Sequence, residues 1–172
     1  MTQTKLIAAI GAVALLVGGT ASAQVSGEGG PIRVNADRSE VLDKERKVLL
    51  IDNVDITQGT ARLRSDLVTL EYGGGGDTTT TGLGSSFGDI RTMTARGNVF
   101  YITPDLKANG DVGVYVASTD TITMTGNIIL VRGDDVAKGE RLTIELAAGR
   151  TTLDGGGSQV NMVIVPGEED GR

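Results

Sequence analysis

The strongest constraint on the fold of this chain is an internal repeat of about 29 residues. Gly97-Asn98-Val99 recurs as Gly126-Asn127-Ile128, and one further repeat length leads to Gly155-Gly156. Asn53 lies further from Asn98 than one repeat length, but the interval returns to that length when sixteen residues of the Gly/Thr/Ser-rich segment 73–89 are removed. Repeats of this length indicate one supersecondary unit copied along the chain, in which neighbouring units complete a shared core.

An acidic residue forms a second marker with the same period. Asp66, Asp111 and Glu140 each follow the asparagine of their unit at one constant spacing, from 53 to 66, from 98 to 111 and from 127 to 140. Asp37 lies one repeat length before Asp66, so a partial unit precedes the first complete one. We interpret the Gly-Asn step as a β-bulge or a position of positive φ. We interpret the acid as a solvated residue where a strand begins, rather than as a ligand.

Each unit is predicted to contain two β-strands joined by a turn. Val, Ile, Leu and Thr dominate the strands, and Gly, Pro, Asn and Asp cluster between them. The first strands are predicted at Val48–Thr57, Arg91–Thr103 and Thr121–Arg132. The second strands are predicted at Ala61–Tyr72, Val112–Ala117 and Arg141–Ala147, after turns at Gln58–Thr60, Pro104–Gly110 and Gly133–Gly139. No stretch shows a sustained helical period, so we expect an all-β protein.

Alternation along these strands predicts one apolar inner face. The residues assigned to it are Val54, Ile56, Val68, Leu70, Val99, Tyr101, Ile128, Leu130, Leu142 and Ile144. The middle unit leaves two alternatives open. Gly113 and Tyr115 occupy the equivalent positions of the strand Val112–Ala117, but three valines occupy the other face.

The amino terminus resembles a cleavable export signal. Lys5 provides a positive start, Leu6–Val17 is uncharged and apolar, and Ala21-Ser22-Ala23 has the small residues that a signal peptidase reads. We therefore expect cleavage after Ala23 and a mature chain that begins at Gln24. The alternative is a retained membrane anchor, although twelve apolar residues are fewer than the roughly 20 that span a bilayer.

The composition argues against catalysis. The chain has no histidine and no cysteine, so it lacks the usual general base, the thiol nucleophile and any disulfide. No metal site, catalytic site or cofactor is predicted. Loss of Lys5 with the signal changes 16 basic residues against 22 acidic ones into 15 against 22. This acidic balance argues against nucleic acid as a partner and against simple electrostatic adhesion to an anionic membrane.

Several segments together resemble the OstA-like, LptA-type family of lipopolysaccharide-transport proteins. The segments are Asp52–Gly59 with Leu63–Asp66, Gly97–Val99, Thr125–Ile128, Gly139–Leu142 and the closing strand Val160–Pro166. The similarity extends from about Ile32 to Pro166. Two features depart from the family pattern: Asp52 replaces the usual glycine before Asn53, and the segment 73–89 is a looser connection than is typical.

The resemblance implies an open, twisted β-jelly roll built from these repeats, a folded sheet of antiparallel strands whose two halves enclose an apolar groove. We expect residues 24–166 to form this domain, with a flexible Gly/Thr/Ser-rich loop at 73–89 and a disordered acidic tail at 167–172. The ten inner-face residues become the lining of a lipid-binding groove. Val160, Met162 and Ile164 become the partner-binding edge strand.

The resemblance also implies a function in the periplasm. The protein would carry lipopolysaccharide from an inner-membrane extraction complex to an outer-membrane translocon. Its partners would be lipopolysaccharide and the membrane components of that system, with head-to-tail homo-oligomers as a further possibility. Two alternatives stay open: a structural scaffold that binds protein only, and a membrane-anchored sibling in the same pathway if Leu6–Val17 is retained.

Overall fold

The described part of the chain consists almost entirely of β-strands. A computed structural model describes residues 31–73 and 90–165. Its strands are β1 (Ile32–Asn35), β2 (Arg38–Leu42), β3 (Lys47–Gln58), β4 (Ala61–Tyr72), β5 (Ile90–Ile102), β6 (Lys107–Val116), β7 (Thr121–Arg132), β8 (Asp135–Glu145), β9 (Arg150–Asp154) and β10 (Asn161–Val163). The predicted signal peptide 1–23, positions 74–89 of the predicted loop and the tail 167–172 lie outside the described residues.

All ten strands belong to one antiparallel sheet in which consecutive strands from β2 to β9 are neighbours in space. The order runs from β1 through β3, β4, β5, β6, β7 and β8 to β10. Each edge carries a broken strand, since β1 and β2 both pair with β3, and β9 and β10 both pair with β8. The sheet does not close on itself, and the all-β open jelly roll predicted from the sequence is confirmed.

The Gly-Asn step is a β-bulge in every unit, as predicted. Two residues of the first strand lie opposite one residue of the second: Asp52-Asn53 opposite Asp66, Gly97-Asn98 opposite Asp111, and Gly126-Asn127 opposite Glu140. The three asparagines adopt positive φ angles of 48°, 47° and 50°. Asparagine is among the few residues that tolerate this left-handed region, because its short polar side chain can hydrogen-bond locally.

The line of bulges divides the sheet into two halves that fold onto each other. The first half-sheet comprises β2, residues 47–51, 67–72, 90–96, 112–116, 121–125 and 141–145, and β9. The second half-sheet comprises β1, residues 54–58, 61–65, 99–102, 107–110, 128–132 and 135–139, and β10. Buried residues from both halves form one continuous hydrophobic cluster.

The second strands of two units begin earlier than the sequence predicted. β6 begins at Lys107 and β8 at Asp135, so most of the predicted turns Pro104–Gly110 and Gly133–Gly139 is strand. In the sequence Gly110 indicates a turn, but in the structure it lets Ile128 pack closely against β6. A Cβ at position 110 would lie 2.7 Å from Cδ1 of Ile128. The predicted closing strand Val160–Val165 is shorter than expected, with strand pairing only at Asn161–Val163.

The repeated acid does not mark the beginning of a strand, which was the expectation. Asp66, Asp111 and Glu140 lie in the middle of β4, β6 and β8, opposite the bulges. The spacing along the sequence shows that the acid recurs with the repeat, but it does not show where in the strand the acid lies. In two units the predicted strand begins too late, so the acid falls outside it. The open question in the middle unit is resolved, since Gly113 and Tyr115 of β6 face the interior.

Candidate functional site

The residues predicted to share an apolar face do meet in the interior between the half-sheets. Val54, Ile56, Val68, Val99, Tyr101, Ile128, Leu142 and Ile144 are between 0% and 7% exposed, and Leu70 and Leu130 are partly buried against the same cluster. Burial of one such aliphatic side chain stabilises the fold by about 1.5–3 kcal/mol. The interior is therefore the hydrophobic core as well as the candidate site.

Strand register arranges the inner face in rows that cross the whole sheet. One row of paired residues in the second half-sheet runs Val34, Ile56, Leu63, Tyr101, Ala108, Leu130, Ala137 and Met162. Every strand of this half-sheet contributes one residue, and every residue is apolar apart from the hydroxyl of Tyr101. Paired residues of an antiparallel sheet share a face, so this row is a continuous apolar strip from one edge to the other.

The inner face reaches solvent at both edges of the sheet. Val34 in β1 and Val41 in β2 are 41% and 42% exposed, although they pair with the buried residues Ile56 and Val48. At the other edge Met162 in β10 is 57% exposed and pairs with Ala137. The apolar interior is thus covered in the middle of the sheet and accessible at its two ends.

The sequence reasoning missed Val34 and Val41, and the repeat contained the signal that finds them. Val41 follows Asp37 at the same spacing as Leu70 follows Asp66. Val34 lies one repeat length before Leu63. The spacings that identify inward-facing residues in the complete units therefore also apply to the partial unit that forms β1 and β2.

At its centre the interior is filled by its own side chains. A cavity of about 20 Å³ lies between the half-sheets, a volume that holds about one water molecule. Its lining residues are Leu63, Met93, Ala95, Val99, Tyr101, Gly113, Val114, Tyr115, Ile122 and Met124. A larger apolar guest can enter this region only if the half-sheets move apart.

A small polar group lies at the margin of the interior. The Tyr115 hydroxyl donates a hydrogen bond to Oδ1 of Asp120 at 3.2 Å. Burial, with the negative charge of Asp120, raises the pKa of Tyr101 to about 12. Tyr101 therefore stays protonated at neutral pH. The buried polar side chains of the described residues are Gln58 and Ser65, both uncharged. The interior is therefore better suited to an apolar ligand than to proton transfer.

The repeated acids and asparagines form a ladder along the exterior of the bulge line. Each asparagine donates to the acid of the preceding unit: Asn53 Nδ2 to Asp37 Oδ2 at 2.7 Å, Asn98 to Asp66 at 2.8 Å, and Asn127 to Asp111 at 3.0 Å. At the last position Gly156 replaces the asparagine, and a Cβ there would lie 2.7 Å from Cβ of Glu140. The described residues contain no cluster of three potential metal ligands.

The carboxyl-terminal segment is the most exposed apolar part of the described chain. The predicted edge residues Val160, Met162 and Ile164 are 37%, 57% and 64% exposed. Val163 and Val165 on the alternate face are 66% and 52% exposed. The backbone N–H of Val165 donates to Oδ1 of Asp135 at 3.0 Å, which holds the segment beside β8. Both faces of this edge therefore expose apolar side chains to solvent.

Comparison with known proteins assigns the fold to a family. The family model described as LptA/(LptD N-terminal domain) LPS transport protein matches residues 33–150. The chain belongs to this family. No helix in the described ranges is long and apolar enough to cross a membrane.

Two further proteins resemble this member of the LptA/LptD N-terminal family. An uncharacterised protein of Rhizobium meliloti (strain 1021) is 29% identical over 137 residues, which cover 79% of this chain and 72% of that protein. The crystal structure of LptH, described as the LptA homologous periplasmic component of the conserved lipopolysaccharide transport device from Pseudomonas aeruginosa, has a TM-score of 0.64 and 23% sequence identity. That match covers 83% of this chain and 100% of the other, and it supports the fold assignment.

Proposed function

We propose that this protein is a periplasmic lipid carrier that moves lipopolysaccharide from an inner-membrane extraction complex towards an outer-membrane translocon. The acyl chains lie between the half-sheets, against the ten inner-face residues from Val54 to Ile144 named above. The protein is exported by a signal that is removed after Ala23. Membership in the LptA/LptD N-terminal family and the likeness to periplasmic LptH support this assignment.

The observation that carries the proposal is the apolar strip that opens at both edges of the sheet. From Ile56 to Ala137 the strip is buried apart from the partly buried Leu130, whereas Val34 and Met162 at its ends are exposed. A hydrophobic core that served stability alone would gain by covering these end residues. Exposed apolar ends are expected where lipid enters and leaves.

Lipid loading requires the half-sheets to separate, since the centre of the interior is filled. Transfer of acyl chains from water contributes about 0.8 kcal/mol for each buried CH₂. A lipid with several chains therefore supplies the free energy that opens the interior without any specific polar contact. The open sheet permits this movement, because no strand pairing joins β1 or β2 to β9 or β10.

The edges also favour assembly with other jelly rolls. In the interior of the sheet, strands that carry the Gly-Asn bulge alternate with strands that carry the acid. The edge formed by β1 and β2 carries the repeated acid, Asp37. The edge formed by β9 and β10 carries Gly155-Gly156, the equivalent of the Gly-Asn bulge. A second jelly roll placed edge to edge continues both the alternation and the antiparallel order, and unpaired edges are a known binding mode.

Photo-crosslinking tests where the lipid lies. A crosslinker at Ile56 or Leu142, both 0% exposed, should capture lipopolysaccharide. A crosslinker at Arg62 should not, because Arg62 pairs with Thr57 and Ile102 on the outward face. Circular dichroism must show that each variant keeps its β signal.

A matched pair of charge substitutions tests the entrance. Val34→Asp places a carboxylate on the inner face, and Asn35→Asp places the same charge on the outer face of the same strand. Both positions are exposed, so both variants should fold. Val34→Asp should weaken lipid loading at least about tenfold, because the carboxylate must be desolvated against acyl chains. Equal loading by the two variants would contradict the carrier function and favour a scaffold that binds protein only.

A further inference from the structure

The outward face of the second half-sheet concentrates positive charge in an acidic protein. The residues on this face form two rows of strand-paired positions. One row contains Arg33, Thr57, Arg62, Ile102, Lys107, Val131, Val136 and Val163. The other contains Asn35, Asp55, Arg64, Phe100, Asn109, Ile129, Lys138 and Asn161. Within these two rows five cations accompany one carboxylate, Asp55, in a chain whose net charge is −6. The exposed carboxylates of Asp66, Asp111 and Glu140 border the rows along the bulge line.

Exposed apolar side chains lie among these cations. Phe100 and Ile129 are 41% and 39% exposed in the middle of the face. Ile102, Val131 and Val136 beside them are half-buried. Lys107 and Lys138 flank this apolar centre and form no ion pair among the described residues. We call this surface the basic face.

The outward face of the first half-sheet shows that this arrangement is not a general property of the exterior. Its cations are Arg38, Lys47, Arg96, Arg141 and Arg150, and its carboxylates are Glu40, Glu71, Glu145 and Asp154. Three of those cations form ion pairs with three of those carboxylates. Threonines fill much of the remainder, and none of the large exposed apolar residues of the described chain lies there.

We infer that the basic face docks on the surface of an anionic phospholipid bilayer. Cations around an apolar centre match a layer of anionic headgroups above acyl chains: the cations meet the phosphates, and Phe100 and Ile129 enter the boundary below them. The face extends over five neighbouring strands from β4 to β8, roughly 20 Å at the usual strand spacing of about 4.8 Å. A broad sheet face fits a planar surface better than it fits a peptide, which needs a groove or a free edge. The net charge of the chain obscures this face, because all but one of the carboxylates lie outside its two rows.

Docking does not depend on lipid carriage, so it is tested with vesicles that contain no lipopolysaccharide. The protein used begins at Gln24, which removes the apolar segment Leu6–Val17 and keeps every described strand. Sedimentation is measured with vesicles of phosphatidylcholine alone and with vesicles that also contain phosphatidylglycerol. Binding should require phosphatidylglycerol and should weaken as salt is added.

Two charge-matched variants locate the binding surface. Lys107→Gln with Lys138→Gln should weaken binding roughly 25-fold, about fivefold for each cation. Arg96→Gln with Arg141→Gln removes the same charge from the other outward face and should leave binding close to that of the parent. Equal weakening by the two pairs, or no binding of the parent, overturns the inference.

A fluorescent reporter tests insertion directly, because the chain has no tryptophan. Phe100→Trp should show a blue shift of its emission with anionic vesicles, whereas Thr123→Trp on the other outward face should not. Emission from Phe100→Trp that is already blue-shifted without vesicles would show that another segment or a second copy covers the basic face. That result, or equal shifts for the two reporters, overturns the inference.

Discussion

Asparagine at the bulge combines two properties that few other residues share. Asn98 accepts a φ of 47° and donates a hydrogen bond to Asp66, a residue of the preceding unit. The side chain therefore joins the bend of one strand to the next unit of the repeat. Glycine adopts this backbone conformation without strain but has no side chain that could donate the hydrogen bond. Alanine also lacks a donor, and it adopts the conformation only with strain.

Substitutions at Asn98 should separate these two contributions. Asn98→Gly should lower the free energy of unfolding by about 0.5–1.5 kcal/mol, through the lost hydrogen bond and added freedom of the unfolded chain. Asn98→Ala should cost about 1 kcal/mol more, because the left-handed conformation is unfavourable for a residue with a Cβ. Urea unfolding measures both. An alanine variant as stable as the glycine variant would show that the backbone relaxes at the bulge.

The ion pair between Asp55 and Arg62 should make stability depend on pH. Arg62 Nε donates to Oδ1 of Asp55 at 2.8 Å, and this hydrogen bond lowers the pKa of Asp55. A folded-state pKa below the unfolded value stabilises the protein above the ordinary Asp pKa of about 3.9, and the contribution is lost as pH falls through the lowered pKa.

The variant Arg62→Gln tests that dependence. Its stability should be lower than that of the parent near neutral pH, and the difference should shrink as pH falls below about 3.9. Unfolding by urea at several pH values gives the comparison. A difference that persists unchanged in acid would mean that Arg62 acts through packing of its aliphatic stem.

At the level of the strand, glycine is the residue that misled the sequence reasoning. The bounds of β4 and β7 agree with prediction, because continuous runs of alternating apolar residues have clear ends there. β6 and β8 begin five and six residues before their predicted starts, since Gly110 and Gly139 resemble turn residues in the sequence. A Cβ at Gly139 would lie 2.8 Å from the backbone oxygen of Asp154. Close contact with a neighbouring strand depends on the folded structure and is invisible in a local pattern.

A double-mutant cycle should verify this packing role. Gly110→Ala should lower the free energy of unfolding by about 1–3 kcal/mol, because its Cβ would crowd Cδ1 of Ile128. Ile128→Val removes that methyl group and alone should cost about 0.5–1.5 kcal/mol. Together the changes should cost less than their sum, which thermal or urea unfolding can measure. If the two losses in the free energy of unfolding simply add, the strain caused by Gly110→Ala does not arise from contact with Ile128.

At the scale of the whole molecule, the sequence predicted which residues face inward but not how closely the two faces approach. Periodicity determines the face on which Ile56 or Leu142 lies, and both are fully buried. The distance between half-sheets depends on side chains that are far apart in sequence, such as Leu63 and Met124 around the central cavity. The sequence alone therefore does not distinguish an open groove from a filled core. The structure shows a centre filled by side chains between edges that are open.

The exposed edges lead to a prediction about assembly. In a continuous sheet, β1 of one molecule lies beside β10 of the next, and the inner-face row passes from Met162 to the neighbour's β1, where Val34 occupies the same row. The chain has no cysteine, so an introduced pair forms the only possible disulfides. Val34→Cys with Met162→Cys should produce a ladder of covalent dimers, trimers and longer species on oxidation.

The control pair differs by one residue. Val34→Cys with Val163→Cys places the two thiols on opposite faces, because neighbouring residues of a strand alternate, and disulfide geometry requires Cβ atoms about 3.5–4.5 Å apart. This pair should give far fewer covalent species on non-reducing gels, and each single variant should stop at dimers. Dimers alone from Val34→Cys with Met162→Cys would mean that like edges meet, which closes the assembly after two molecules. A ladder from the control pair would mean that the edges meet in a register shifted by one residue, which would break the apolar strip between molecules.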